Sequence, residues 1–145
     1  MTIRPRAVRA AIAARTRIRD MAAAANAQAQ SADLAAQAAE ARASEELAQA
    51  IVDANNRMAA SGSVAELCRI ADELEADRVS MKDAAELRAI AAASLEKAVE
   101  ALQHRERQLR TVERALDIMM EHRATGAARA EQQLTDDLNS RKRDS

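Results

Sequence analysis

The sequence from Val64 to Leu116 reads VAELCRIADELEADRVSMKDAAELRAIAAASLEKAVEALQHRERQLRTVERAL. In it Leu67, Leu74, Met81, Leu95, Leu102, Leu109 and Leu116 stand seven or fourteen residues apart, all in one phase. The skipped step falls on Arg88, which has Leu87 and Ile90 beside it. A second set, Ile70, Ala84, Ala91, Ala98, Val112 and Met119, lies three residues after positions of the first. Alternating steps of three and four put both sets on one narrow stripe of an α-helix. A stripe held in a seven-residue repeat is a coiled-coil seam, because the helix must supercoil to keep it facing a partner. A long amphipathic helix inside a globular bundle is the other arrangement that such a stripe serves. Either arrangement needs a partner, and the preceding chain is the nearest candidate.

Composition points the same way. The 145 residues include no Phe, Trp or Tyr, two Gly and one Pro. Hydrophobic residues make up 48%, but many are Ala, which buries little area, so a thick globular core is not expected. Ala, Leu, Glu, Arg and Gln are strong helix formers, and the lack of aromatics and β-branched runs disfavours sheet. The predicted class is all-α. Cys68 is the only cysteine, so no intrachain disulfide forms. Beside Leu67 on the seam flank, it reads as a small half-buried apolar residue. No apolar run is long enough for a signal sequence or a membrane span.

The stop of the first helix and the start of the second are written within four residues. Ser61-Gly62-Ser63 follows Ala60, with Gly62 free to take the left-handed conformation that closes a helix. Ser63-Val64-Ala65-Glu66 is a capping box, in which the Ser hydroxyl and the Glu carboxylate each satisfy an orphan backbone N–H. Together they predict helix 1 over about 5–60, a turn at 61–63 and helix 2 over about 64–140, in a single antiparallel coiled-coil hairpin with the second helix longer. Pro5 suits the first turn of helix 1. Ser80-Met81-Lys82-Asp83 offers another N-cap, which would cut helix 2 and give a three-helix bundle; the unbroken phase through Met81 favours continuity.

Helix 1 carries the weaker pattern. Ile3, Val8, Ile12, Ile18 and Met21 give a loose apolar face, and from Ala22 to Glu46 only Leu34 is bulkier than Ala on that side. Leu47, Ile51 and Met58 then restore a firmer seam, with Ala54 between. A hairpin turning at Gly62 pairs residue i with roughly 123 − i. Val8 then faces Leu116, Ile12 faces Val112, Met21 faces Leu102, and Leu34 faces Leu87 and Ile90. Pairing between two chains in parallel is the competing assembly.

At about 1.5 Å rise per residue, helix 1 spans roughly 80 Å and helix 2 roughly 115 Å. Helix 2 therefore overhangs from about residue 118. Ile118, Met119 and Met120 have only Ile3 opposite them, and Leu134 and Leu138 have nothing. Apolar residues on an unpaired helix are a candidate docking surface.

Net charge is −1, but residues 1–20 carry six Arg against Asp20, and residues 61–100 are acidic. In the hairpin, Arg105, Arg107, Arg110 and Arg114 lie near the N-terminal Arg set, so one end is basic and the turn end acidic. The Arg-rich start also reads as a transit peptide, basic and amphipathic; the uninterrupted helical pattern favours the basic end of a helix. No aromatic is present to stack on bases, so nucleic acid is not an expected partner. His104 and His122 are eighteen residues apart with no second His or Cys at helical spacing. No phosphate loop or nucleophile–base motif occurs, so neither an enzyme nor a metal or other cofactor is predicted.

The C-terminal Glu131-Gln132-Gln133-Leu134-Thr135-Asp136-Asp137-Leu138, running into Arg141-Lys142-Arg143, resembles the tail of the stalk family of bacterial type III export, the FliJ and YscO type. Chain length and the longer second helix resemble that family too. The resemblance implies a non-catalytic adaptor that binds a hexameric export ATPase, promotes its assembly and activity, and links it to an export-gate protein. It implies a place at the cytoplasmic face of the export apparatus, with membrane contact only indirect and no small-molecule substrate. Arg4, Arg6, Arg9, Arg15, Arg17, Arg19, Arg123 and Arg129 would face these partners. The alternative, motivated by the Arg-rich first helix, is an amphipathic surface-coating or membrane-peripheral protein.

Overall fold

The computed structural model describes residues 4–144. It contains two helices, α1 (Pro5–Ala60) and α2 (Val64–Arg143), of 56 and 80 residues. α2 is continuous through Ser80 and Gly126, so the predicted possibility of a cap at Ser80 is not realised. The chain divides into two compact units. Unit 1 comprises residues up to 21 together with residues from 103 onward, and unit 2 comprises Ala22–Leu102.

Unit 2 contains the turn. The bonds there differ from the predicted pattern in two ways. Gly62 does not adopt positive φ, so the turn closes without the left-handed conformation. The capping box is half formed: the Glu66 N–H donates to the Ser63 hydroxyl at 3.5 Å, while the Ser63 N–H donates to the Ser61 hydroxyl at 3.2 Å. The Glu66 carboxylate turns instead to Arg57, at 2.8 Å, and to Arg69, at 3.2 Å. Arg57 in the last turn of α1 also holds Glu73 on α2. One guanidinium thus ties the end of α1 to two points of α2 about two turns apart. A cation also suits the carbonyl end of α1. Farther from the turn, Arg88 pairs with Glu40 at 2.8 Å. The partners move back along α1 as they advance along α2, so the two helices of unit 2 run in opposite directions.

The heptad stripe of α2 is where burial falls. Ile70 is buried, and Leu74, Met81, Ala84, Ala91, Leu95, Ala98 and Leu102 are half-buried, with the intervening residues largely exposed. The exception is Leu67, in the first turn, which is exposed. In α1 the covered positions return at alternating steps of three and four without a break from Pro5 to Arg57. This face is not the one expected from its bulky residues. Leu47, Ala50 and Ala54 lie on it, but Ile51, Met58 and Leu34 are exposed. The expected level of Leu34 with Leu87 and Ile90 is absent, since all three face solvent. Met21, expected to lie mid-seam, is 72% exposed.

Polar residues occupy the α1 seam instead. Asn26, Asp33, Glu40 and Arg57 are all half-covered, and Asn26 Oδ1 is buried without a hydrogen-bond partner. Glu40 explains the skipped step of the α2 heptad, because its carboxylate receives Arg88. A polar residue inside a seam fixes register at a cost in stability. Replacing the pair together, Glu40→Leu with Arg88→Leu, should therefore stabilise the protein by about 1 kcal/mol. Thermal denaturation checks this, and an unchanged or lower midpoint would remove Glu40 from the seam.

Burial is thin everywhere. The buried apolar residues among those described are Val8, Ala54, Ile70 and Leu109. The surface of 11204 Å² exceeds by about half the roughly 7,300 Å² expected for a compact protein of this mass. Cys68, expected to be half-buried, is exposed.

Candidate interaction surface

Unit 1 brings together every residue that the sequence nominates for partner binding. Its α1 part, with Arg4 just before it, supplies Arg6, Arg9, Arg15, Arg17 and Arg19, and its α2 part supplies Met119, Met120, Arg123, Arg129, Leu134 and Leu138. The core that holds the two parts is Val8 and Leu109, both buried, with Ile12, Val112 and Leu116 half-buried. Val8, Ile12, Val112 and Leu116, expected to share levels, all lie on covered faces of this unit. Ile3, expected opposite Ile118, Met119 and Met120, lies outside the described residues.

The arginines are not equivalent. Arg4, Arg6, Arg9 and Arg17 are exposed, whereas Arg15 and Arg19 sit at covered heptad positions and are half-buried. Arg19 donates from Nε and Nη2 to the Asp20 carboxylate, at 3.1 and 2.9 Å. With Arg105, Arg107, Arg110 and Arg114 in the same unit, basic residues number fifteen against nine acidic, a net +6. Unit 2 has seven basic and fourteen acidic residues, a net −7. The near-neutral total therefore conceals two strongly charged units of opposite sign. Fields of this kind steer association with partners of complementary charge.

The end of α2 is the most exposed part of the molecule. Met119 is half-buried, and every described residue from Met120 onward is exposed. Met120, Leu134 and Leu138 present 46%, 64% and 59% of their surface to solvent. Glu121, His122, Thr125, Gly126 and Arg129 border a shallow depression on this segment.

Unit 2 offers a different surface, an open groove lined by Ala36, Ala39, Ala43, Ala84 and Leu87, with Arg42, Glu46, Ser80 and Asp83 at its sides. It exists because alanine leaves the space between the helices unfilled. His104 Nε2 hydrogen-bonds Gln108 at 3.0 Å, four residues on. Among the described residues, no group of three or more His, Cys, Asp or Glu is placed to hold a metal ion. Nor is any helix long and apolar enough to cross a membrane.

The Arg57 cluster is the site with resolved electrostatics. Hydrogen bonding from Arg57 holds the Glu66 carboxyl below its usual value of 4.5, and the hydrogen bond to Glu73 raises the Arg57 guanidinium. A depressed carboxyl stabilises the fold fully above the unfolded value and loses that contribution as pH falls through the folded value. Thermal stability should therefore fall on acidification below about pH 4.5, and Glu66→Gln should flatten this part of the profile. Melting curves across that range provide the check, and an identical slope in the variant would count against the linkage.

Comparison with known protein families, with curated proteins and with solved structures finds no match to this chain.

Proposed function

We propose that this chain is a non-catalytic stalk of a bacterial type III export apparatus. On this reading it is an antiparallel coiled-coil hairpin that binds the hexameric export ATPase, promotes its assembly and turnover, and connects it to the export-gate protein at the cytoplasmic face. The observation that carries the reading is the α2 extension: an exposed helical segment bearing Met120, Leu134 and Leu138, on a unit of net charge +6. Such a segment suits docking on a larger protein, because its apolar residues gain burial there. The resemblance of the tail sequence to the stalk family supplies the identity of the partner. The exposed Arg4, Arg6, Arg9 and Arg17 add a charged rim, with Arg123 and Arg129 on the extension itself.

The decisive experiment adds the purified chain to its cognate export ATPase and measures ATP turnover and the fraction of hexamer. Both should rise. Turnover and assembly unchanged at saturating chain would exclude the stalk role.

A further inference from the structure

The apolar residues of the α2 extension form a stripe of their own. After Leu116 the seven-residue phase of α2 ends, because Arg123 falls at the next position. A new phase starts one helical turn on from Leu116: Met120, Ala124, Ala127, Leu134 and Leu138, with Glu131 completing the alternation of four and three. These positions lie within about 40° of Met120 on either side, a stripe about 80° wide around the helix. All are exposed, so none of the described residues covers them.

We propose that this extension pairs antiparallel with the extension of a second copy of the chain. The argument is self-complementarity. A two-fold interface requires that residue i meets j and j meets i. Placing Met120 opposite Leu138 brings Ala124 opposite Leu134 and Ala127 opposite Glu131, so bulky residues meet each other or small ones. The same alignment sets Arg123 of each copy beside Asp137 and within reach of Glu131 of the other. Near the two-fold axis lies Ala127, with Ala128 and Ala130 on the two flanks, small residues that let two helices approach closely. A parallel in-register pair would instead set Arg123 on Arg123, Glu131 on Glu131 and Asp137 on Asp137. Like charges across a helix pair repel, so the antiparallel arrangement is selected by charge. This inference goes beyond the stalk reading, although it uses the same stripe. Pairing is measured on the chain alone, so each can fail without the other.

Sedimentation equilibrium of the full chain at about 50 µM should give twice the chain mass, since a micromolar dissociation constant makes that concentration mostly dimer. Asp137→Arg or Arg123→Asp alone should weaken the dimer at least about tenfold by placing like charges together. Combining Arg123→Asp with Asp137→Arg in one chain should restore it, which a general loss of helix would not do. With Cys68→Ser throughout, a mixture of Met120→Cys and Leu138→Cys chains should form a disulfide-linked pair, and neither chain alone should. Monomer at this concentration, single reversals without effect, or linkage of one cysteine variant to itself would each overturn the proposal.

Discussion

Ile70→Ala should cost about 2–4 kcal/mol, the largest loss expected from any single truncation in this protein. Ile70 is 1% exposed and is the one large side chain fully buried among the described residues. It stands in the second turn of α2, opposite the end of α1 where Ala54 is also buried. The groove beside it is lined by Ala50, Ala54 and Leu74 and by the charged Asp53, Arg57, Glu73 and Asp77, whose ionised ends gain nothing by filling an apolar void. A cavity that cannot collapse retains the full penalty of lost contacts. Small domains have about 5–15 kcal/mol of stability, and the thin burial here places this one toward the lower end. The loss should thus be visible as a large shift of the denaturant midpoint. Leu34→Ala and Ile90→Ala serve as controls. Both residues are mostly exposed, and each should change stability by less than about 0.5 kcal/mol. If the three substitutions had equal effects, the assignment of the seam would be wrong.

The second large effect separates folding from function. A chain ending at Met120 should melt within a few degrees of the full chain, because every described residue beyond Met120 is exposed and the buried Val8 and Leu109 are retained. The same chain should no longer stimulate the cognate hexameric ATPase if the stalk reading holds. Leu134 and Leu138, docked on a partner, would each contribute about 1.5–3 kcal/mol of burial before ordering costs. Losing both should weaken binding by about a hundredfold or more. Melting and ATP turnover measured side by side give the answer. Full stimulation by the shortened chain would move the working surface to the basic α1 segment. A collapsed melt would mean that the extension contributes to folding.

What could be read from residues alone was whatever contrast in side-chain size or backbone freedom makes visible. The limits of both helices follow from Pro5, from Ser61-Gly62-Ser63 and from unbroken helix-forming composition. The face of α2 follows from leucines set against Glu, Asp and Arg, because bulky apolar and charged residues differ sharply in what burial is worth. The exposure of Leu134 and Leu138 follows from the unequal lengths of the two helices.

The face of α1 could not be read in this way. Alanine stands on every side of the helix between Ala22 and Glu46, so several faces offer nearly the same burial and periodicity selects none. The few bulky residues misled: Met21, Leu34, Ile51 and Met58 lie off the seam, while Asn26, Asp33 and Glu40 lie on it. Pairing with α2 decided which face is covered. Arg57 engages Glu66 and Glu73, and Glu40 meets Arg88, so three charges across the turn and one pair along the seam set the register. Arg88 marked the polar level in the sequence of α2, but its partner became identifiable only with both helices in place. Where hydrophobic area is nearly uniform around a helix, specific polar contacts with the partner choose the face, and those exist only in the tertiary structure.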